Sequence, residues 1–478
     1  MSRAFHSLTA AEAREGLSAG DFSAMDLLEA CVSCIEAVNP IVNAVVTTCY
    51  ERARQEAEVW SKRIAAGQDV PPLAGIPVLI KDNQRTEGVR TTLGSPLHQN
   101  NIPDTDAGIV ARLRHAGAIV LGKTNIPEYS IGANTVNPLF GATGNPFDPS
   151  LTCGGSSGGS AVGVASSMAP LATGSDHGGS LRIPASFCGV VGYRASPGVV
   201  PNEERATPST HYSLQGPICR TVADAALMLS VIAGRTHGAD RDPMAYPLDT
   251  LRFRELSVPA LERLKVAVSP DLGGVLVSQE NRALFEERVS HFGHLFARCD
   301  WHSIDLTEAP EVDWHLRQDV FVSQYFDQAG DWPEDINPNL TATYDAAVQT
   351  SMVDIAVARR RQLALIRRCN ELFRDYDLLI VPGVSVPPFP WTDAYPAEID
   401  GHPVENYMAW LALTSSLTVT GQPVVALPCG LDRQGTPFGL QVVGPMYQDH
   451  GLLSAAHAIE QQFQTDEVLR RPVPNLEQ

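Results

Sequence analysis

The feature that most constrains the fold of this 478-residue chain is an alternation of short apolar runs with longer stretches of helical periodicity. A short apolar run between turn-forming residues is typical of a buried strand, whereas apolar residues at helical spacing indicate a helix. Apolar runs occur at 77–80, 118–121, 266–268, 378–381, 424–427 and 440–443. Helical stretches between them include 221–233, 279–297 and 452–463. The alternation predicts an α/β fold in which helices cover a large mixed sheet.

The N-terminal segment is predicted to be helical. Ser23 and Asp26 have the spacing of a capping box, and apolar residues then recur at helical spacing until Asn39-Pro40, where we expect the first helix to end. A second helix is expected over 42–66. Residues 310–375 are also predicted to be mostly helical, as an insertion over a site.

The charge balance argues against several classes of function. Acidic residues outnumber basic ones by 54 to 35, so the formal net charge is −19. A surface this negative repels nucleic-acid phosphates and anionic lipids, and we therefore expect neither as a partner. No segment reaches the roughly 18 uninterrupted apolar residues that a membrane span needs, and the first ten residues contain no signal-peptide core. The sequence predicts a cytoplasmic protein.

The nine cysteines are odd in number and scattered, and most of them lie in apolar runs. This distribution predicts reduced thiols in the core rather than a disulfide framework. Cys31 and Cys34 form a CxxC pair, which is compatible with redox chemistry or with half of a zinc site. Because the pair lies in a helical pattern and no second ligand pair accompanies it, we expect buried structural thiols and no metal site.

Two familiar motif patterns fail on their context. Residues 117–124 satisfy the phosphate-loop formula GxxxxGK(S/T), but an apolar, strand-like run separates the glycines and Pro127 interrupts the helix that should follow. Residues 154–158 satisfy the nucleophile-elbow formula GxSxG, but turn-forming residues at 145–150 precede them in place of a buried strand. Neither nucleotide binding nor an α/β-hydrolase site is therefore predicted.

Two loops rich in glycine and serine remain. Residues 153–160 read CGGSSGGS, and residues 174–184 read GSDHGGSLRIP. Glycines beside a serine let the backbone approach a ligand closely, and consecutive N–H groups around 178–180 can form a donor site for an oxyanion. One such loop is more often structural than functional, but two of them close together in the chain favour a catalytic site.

A serine nucleophile needs a base, because its hydroxyl is a poor nucleophile at neutral pH. His177 lies only three residues before Ser180 on the same loop, where it is poorly placed to hold that hydroxyl. Lys81 ends the apolar run 75–80, so its amine is expected in a low-dielectric interior, where desolvation lowers the pKa of a lysine. A lysine at a strand end is more often a surface residue, and the residues alone leave that alternative open.

The motifs of the chain resemble those of the amidase signature family, which includes fatty acid amide hydrolase, bacterial amidases and the tRNA amidotransferase subunit that releases ammonia from glutamine. In order, they are GIPVLIKDN at 75–83, GKTN at 122–125, GGSSGGS at 154–160, GGSLRIPA at 178–185, GPICRTVAD at 216–224 and PFGLQ at 437–441. The resemblance covers about 65–235 and the C-terminal strands. It implies a twisted mixed sheet with helices on both faces.

We expect one domain over residues 1–478. Its expected parts are N-terminal helices at 8–66, the core with the family motifs at 67–235, a variable substrate-shaping region at 236–420, and C-terminal strands and a helix at 421–478.

Carried over by position, the resemblance implies a Ser-Ser-Lys triad. Ser180 would be the nucleophile, Ser156 the bridging serine after a cis peptide bond to Gly155, and Lys81 the base. The oxyanion hole would consist of the backbone N–H groups of His177, Gly178, Gly179 and Ser180. Supporting roles would fall to Asp176, Arg182 and Ser157.

Two positions depart from the family pattern, and two others are candidates for the pocket. His177 occupies a place where a smaller or apolar residue is expected, and Ser175 one where threonine is common. Because the oxyanion role needs only the backbone, neither departure threatens catalysis, but His177 can shape the pocket. Tyr129 and Phe140 are predicted pocket walls, with an ordinary place in the core as the alternative.

The predicted function is that of a stand-alone, cofactor-free amide hydrolase for a small-molecule substrate. Ser180 would attack the carbonyl while Lys81 draws a proton through Ser156, and the relay would then protonate the leaving nitrogen. The alternatives are hydrolysis of carbamates or esters by the same triad, an amidotransferase subunit that needs a partner chain, and a noncatalytic binding protein. A homo-oligomer stays open.

Overall fold

The computed structural model describes residues 4–235 and 241–476, and one long mixed β-sheet lies at its centre. In chain order, the strands are β1 (Val45–Thr48), β2 (Pro77–Lys81), β3 (Ile119–Thr124), β4 (Val136–Asn137), β5 (Gly141–Ala142), β6 (Leu171–Asp176), β7 (Val191–Arg194), β8 (Leu214–Cys219), β9 (Lys265–Val268), β10 (Arg298–Trp301), β11 (Leu378–Pro382), β12 (Glu398–Ile399), β13 (His402–Pro403), β14 (Val424–Leu431) and β15 (Pro437–Val443).

The α-helices alternate with these strands. They are α1 (Ala10–Ala19), α2 (Ala24–Val42), α3 (Tyr50–Ala65), α4 (Gly108–His115), α5 (Gly158–Ala165), α6 (Arg182–Cys188), α7 (Val222–Ile232), α8 (Gln279–Phe292), α9 (Ala309–Tyr325), α10 (Pro338–Gln349), α11 (Met352–Leu372), α12 (Ala412–Thr420) and α13 (Asp449–Gln464). The predicted α/β class and the mixed sheet are confirmed.

The large sheet contains eleven of the described strands, in the spatial order β1-β3-β2-β6-β8-β7-β14-β15-β11-β9-β10. β2 runs parallel to both β3 and β6, and β9 runs parallel to both β10 and β11. Between these two parallel groups the neighbouring strands are antiparallel. The two short pairs β4–β5 and β12–β13 lie outside the large sheet.

Helices cover both faces of the sheet, because alternate residues of one strand enter different apolar clusters. In β11, Leu378 and Ile380 join the cluster that includes α8 and α13, whereas Leu379 and Val381 join the cluster that includes α9, α11 and α12. Successive side chains of a strand point to opposite faces, so each cluster marks one covered face. The expectation of a sheet covered on both faces is therefore correct.

The N-terminal region agrees with its prediction only in part. The capping box of Ser23 and Asp26 begins α2 as expected, but the helix passes through Pro40 and ends three residues beyond the expected stop. The helix expected over 42–66 is wrong at its start, because Val45–Thr48 forms β1, which pairs antiparallel with β3 at the sheet edge. The β-branched residues of that segment favour a strand, and α3 begins only at Tyr50.

Two further sequence predictions concern thiols and membrane spans. All nine cysteines lie within the described residues and are free, and both Cys31 and Cys34 are buried, as predicted for core thiols. Across residues 4–235 and 241–476, no helix has the length and apolarity that crossing a bilayer requires.

Candidate active site

The candidate site forms where the parallel strands β2 and β6 end. Lys81 is the last residue of β2, and Ser175 and Asp176 are the last two of β6. Because neighbouring parallel strands bring their carboxyl ends to the same edge of a sheet, these side chains meet there. β8 runs antiparallel to β6 and pairs Leu214 with Asp176, so the residue before it, Ser213, borders the same edge.

The Lys81 amine is completely buried and contacts two serine hydroxyls. Its Nζ donates to Ser156 Oγ at 2.8 Å and to Ser175 Oγ at 2.9 Å. Desolvation lowers the pKa of Lys81 to about 7, although the negative charge of Asp176 opposes that decrease. A substantial fraction of this lysine is therefore neutral at neutral pH, and its lone pair can accept a proton from a hydroxyl.

Ser156 lies directly before α5, a buried helix of small residues. The peptide bond between Gly155 and Ser156 is cis. An added Cβ at Gly159 would lie 2.4 Å from the Asn125 backbone nitrogen, so only glycine lets this helix lie so close to the neighbouring chain. Ser157, the predicted supporting serine, accepts from the Ser175 backbone N–H at 3.3 Å and thereby ties the two serine loops together.

The predicted supporting pair, Asp176 and Arg182, lies beneath the second loop. Arg182 binds the Asp176 carboxylate through Nε at 2.9 Å and Nη2 at 3.0 Å, and Arg194 Nη1 donates to the same carboxylate at 3.0 Å. Burial alone would raise the pKa of Asp176, but the two guanidinium groups hold it well below its ordinary value. Arg182 Nη1 also donates to Gln441 Oε1 at 2.9 Å, which connects the C-terminal motif to the site.

The glycines of the second loop carry a correction to the predicted oxyanion hole. The Gly179 N–H donates to Asp176 Oδ1 at 2.8 Å, so this donor already has a partner and the predicted set narrows to His177, Gly178 and Ser180. Gly179 has φ of +142°, and an added Cβ would lie 2.5 Å from Thr414 Oγ1. The loop therefore requires glycine at this position.

A cavity of about 170 Å³ opens over these loops. Ser156, Ser180 and Ser175 line its floor, and Tyr129, a predicted wall, also lines it. The prediction for Phe140 is wrong, because this ring lies outside the cavity and packs against the Arg90 guanidinium at 5.3 Å.

His177 lines the cavity with its ring turned away from a catalytic role as base. Its Nδ1 forms a hydrogen bond of 3.0 Å with Ser213 Oγ, and its ring stacks on Tyr212 at 4.7 Å between centroids. Burial, together with the charges of Arg317 and Arg194, lowers the pKa of His177 well below its ordinary value. This histidine is therefore a neutral wall residue.

Helix α9 forms the far wall of the cavity, as the predicted insertion at 310–375 implies. Arg317, Phe321 and Tyr325 of α9 line the cavity, and Tyr407 joins them from a distant segment. The sequence analysis missed all four residues. The residues Arg317, Phe321 and Tyr325 recur at intervals of four, which marks one helix face, but nothing in the sequence indicates what that face meets.

A second buried lysine lies nearby and differs from Lys81 in its contacts. Lys123 Nζ donates to Thr86 Oγ1 at 3.0 Å and to Thr91 Oγ1 at 2.9 Å, and the Asp82 carboxylate lies 3.9 Å away. Desolvation lowers its pKa to about 8. Since Lys123 is part of β3, the phosphate-loop pattern around it is a strand, as its apolar composition indicates.

The arrangement can support nucleophilic attack by a serine. It combines an amine that is neutral near pH 7, a hydroxyl in contact with that amine, and a second serine on the same cavity floor. Backbone N–H groups at 177, 178 and 180 lie on the loop that carries Ser180, where they can stabilise a developing oxyanion. Among the residues that the structure describes, no group of three or more His, Cys, Asp or Glu side chains forms a metal site.

Comparisons with known proteins agree with the geometry. The Amidase family model matches residues 26–309 and 334–453. An acylamidase from Rhodococcus erythropolis is 32% identical over 460 residues, which cover 95% of each chain. A glutamyl-tRNA(Gln) amidotransferase subunit from Moorella thermoacetica is 35% identical over 492 residues, which cover 97% of this chain and 98% of the relative. The solved structure of a bacterial aryl acylamidase superposes with a TM-score of 0.87 at 28% identity, over 95% of this chain and 96% of the other.

Proposed function

The chain belongs to the amidase signature family and hydrolyses carboxylic amide C–N bonds, and from this premise we propose that Lys81, Ser156 and Ser180 carry out the reaction. Ser180 attacks the amide carbonyl and forms an acyl-enzyme. Ser156 relays the proton of Ser180 to Lys81, and the same relay returns it to the leaving nitrogen. Water then follows the same path and releases the acid.

The observation that carries this proposal is the contact between Lys81 Nζ and Ser156 Oγ at 2.8 Å, made by an amine with a pKa of about 7. General-base catalysis is most efficient when the pKa of the base lies near the working pH, and an ordinary lysine would be protonated there. Ser175 accepts from the same amine at 2.9 Å and orients it. One neutral amine therefore has a donor contact that fixes its position and a lone pair for the relay.

The oxyanion is proposed to bind the N–H groups of His177, Gly178 and Ser180. The buried ion pairs of Asp176 support this role, because they fix the loop through the Gly179 and Leu181 N–H groups. A rigid array of donors stabilises the developing charge without reorganising during the reaction.

The test is a set of single substitutions assayed with an aryl acylamide such as 4-nitroacetanilide. Ser180→Ala should abolish turnover, and intact-protein mass spectrometry of the wild type should detect an acyl adduct on Ser180 under rapid quench. Lys81→Ala should lower kcat by about a thousandfold or more, because both the base and the relay are lost.

His177→Ala is the matched comparison on the same loop, since this variant keeps the backbone N–H groups. It should retain far more activity than Lys81→Ala. A reversed order of the two losses would make the histidine the base, and turnover by Ser180→Ala would remove the nucleophile assignment.

The substrate is proposed to be a small-molecule amide, in line with the acylamidases that the chain resembles. The same triad can cleave carbamates or esters, which a substrate panel distinguishes.

A second candidate function is that of an amidotransferase component, favoured by the 35% identity to the glutamyl-tRNA(Gln) amidotransferase subunit of Moorella thermoacetica. Efficient hydrolysis of aryl acylamides by the isolated chain supports the first candidate. Glutamine-dependent ammonia release that appears only with a second polypeptide supports the other.

A further inference from the structure

Helix α9 brings a guanidinium with unused donors to the catalytic cavity. The Arg317 side chain is only 4% exposed and lines the same cavity as Ser180. Its Nη2 donates to the Tyr407 hydroxyl at 3.0 Å. Its Nε and Nη1 are buried and have no hydrogen-bond partner in the described structure.

The nearest carboxylate only partly neutralises this cation. Asp313 lies one helical turn before Arg317, and its oxygen is 3.9 Å from Nη1, which is beyond hydrogen-bond distance. Burial raises the pKa of Asp313, although the charge of Arg317 opposes that increase. The carboxylate is therefore a weaker counter-charge than an exposed aspartate would be.

Aromatic rings hold the guanidinium without using its donors. The Arg317 Cζ atom lies 5.4 Å from the centre of the Phe321 ring and 5.6 Å from that of Tyr407. Cation–π contacts of this kind orient a guanidinium and leave its N–H groups available. His177 Nε2 is a second buried polar atom of the cavity without a partner in the described structure.

The charges around the cavity favour an anion. Arg182 and Arg194 share the single carboxylate of Asp176, and Arg317 has only the distant Asp313. Three guanidinium groups therefore face two carboxylates. A buried charged donor without a partner is costly, and an acceptor that arrives with a ligand removes this cost.

We propose that Arg317 binds a carboxylate carried by the substrate, so that the enzyme selects amides with an acidic group on the side of the cavity formed by α9. The inference deepens the proposed function and rests on it. A carboxylate has the single charge and the oxygen acceptors that the free N–H groups of Arg317 lack. Tyr407 and Phe321 keep the guanidinium in place to receive it.

The first test compares acidic amides with their neutral esters. The substrates are the mono-4-nitroanilides of succinic, glutaric and adipic acid, each with its methyl ester. For the acid of best length, kcat/KM of the wild type should exceed that of the ester about tenfold or more. Arg317→Met should lower kcat/KM for that acid by about 10- to 100-fold and leave the ester within about threefold. Equal rates for acid and ester in the wild type at every length, or equal losses on both in the variant, would overturn the proposal.

The second test measures binding without turnover, so that the two proposals can fail separately. Titration calorimetry of Ser180→Ala with the same acids should show binding that is lost in Ser180→Ala/Arg317→Met. Binding of this kind without hydrolysis by the wild type would sustain the role of Arg317 and remove the proposed triad chemistry. Hydrolysis by the wild type with Arg317-independent binding would do the reverse.

Two controls protect these measurements. Arg359 lies on α11, is 62% exposed and pairs with Asp319 of α9, so Arg359→Met should leave the ratio of acid to ester rates unchanged. If Arg317→Met does not fold, as judged by its thermal transition, Arg317→Gln/Asp313→Asn removes both charges and provides the same comparison. Arg317→Lys keeps the charge and should restore part of the preference for the acid.

Discussion

The burial of Lys81 predicts that replacing this lysine by methionine changes how stability depends on pH. Methionine has a similar length and no charge, so Lys81→Met removes the titration and keeps most of the packing. Burial lowers the pKa of Lys81 from its ordinary value of 10.5 to about 7. In the unfolded chain the amine is solvated and keeps its ordinary pKa.

The size of the effect follows from this difference in pKa. Each pKa unit is worth about 1.4 kcal/mol, so keeping Lys81 buried costs about 5 kcal/mol of folding free energy near pH 7. The folded-state pKa is the lower one, so the unfolded chain binds an extra proton between about pH 7 and 10.5. Across that window the wild type gains stability as the pH rises, whereas the variant lacks this gain.

The assay is chemical denaturation of both proteins at pH 7, 8 and 9. The free energy of unfolding of Lys81→Met minus that of the wild type should fall by about 1.4 kcal/mol per pH unit, or about 3 kcal/mol over the range. Lost hydrogen bonds to Ser156 and Ser175 shift both ends equally and cancel in this slope.

Lys62→Met is the matched control, because this lysine is 75% exposed and water solvates its amine in both states. Its difference from the wild type should not change over the same range. A flat difference for Lys81→Met as well would mean that the amine is charged in the folded protein, and the proposed base would be refuted.

Three further predictions concern the same site. Since the neutral form of Lys81 is the base, kcat/KM should rise with pH through about 7 and level off above it, and a pH–rate profile that falls over this range would contradict the assignment. Asp176→Asn should lower the free energy of unfolding by about 3–5 kcal/mol, because two buried guanidinium groups lose their counter-charge, whereas Asp319→Asn at the surface should change it by less than about 1 kcal/mol in the same denaturation assay. Gly179→Ala should lower kcat/KM by about 100-fold or more, because the new Cβ meets Thr414 and moves the loop, and Gly330→Ala, which meets nothing within 4 Å, should leave the rate unchanged.

The strands rich in large apolar residues could be predicted, and those made of small residues could not. β2, β11, β14 and β15 lie where the apolar runs predict them. β6 reads LATGSD and lies at the centre of the sheet, yet its small and polar residues resemble a loop. Its strand character comes from pairing on both sides, with β2 and β8, which local sequence does not encode.

The site shows the same division between local motifs and distant contacts. Ser156, Ser180 and Lys81 could be named because a motif surrounds each of them, and the parallel ends of β2 and β6 bring the lysine to the serine loops. The expectation for Gly179 was wrong in part because a hydrogen bond to Asp176 uses its N–H. The expectation for Phe140 was wrong because an aromatic residue near a motif need not face the cavity.

By itself, the sequence determined the α/β class, the order of the motifs and the types of residue available for chemistry. Only the tertiary structure decided the pKa of Lys81 and the presence of Arg317 in the cavity wall. The physical reason is that both depend on what surrounds a side chain after folding. Desolvation depends on which segments exclude water from the amine, and the specificity of the cavity depends on where α9 docks.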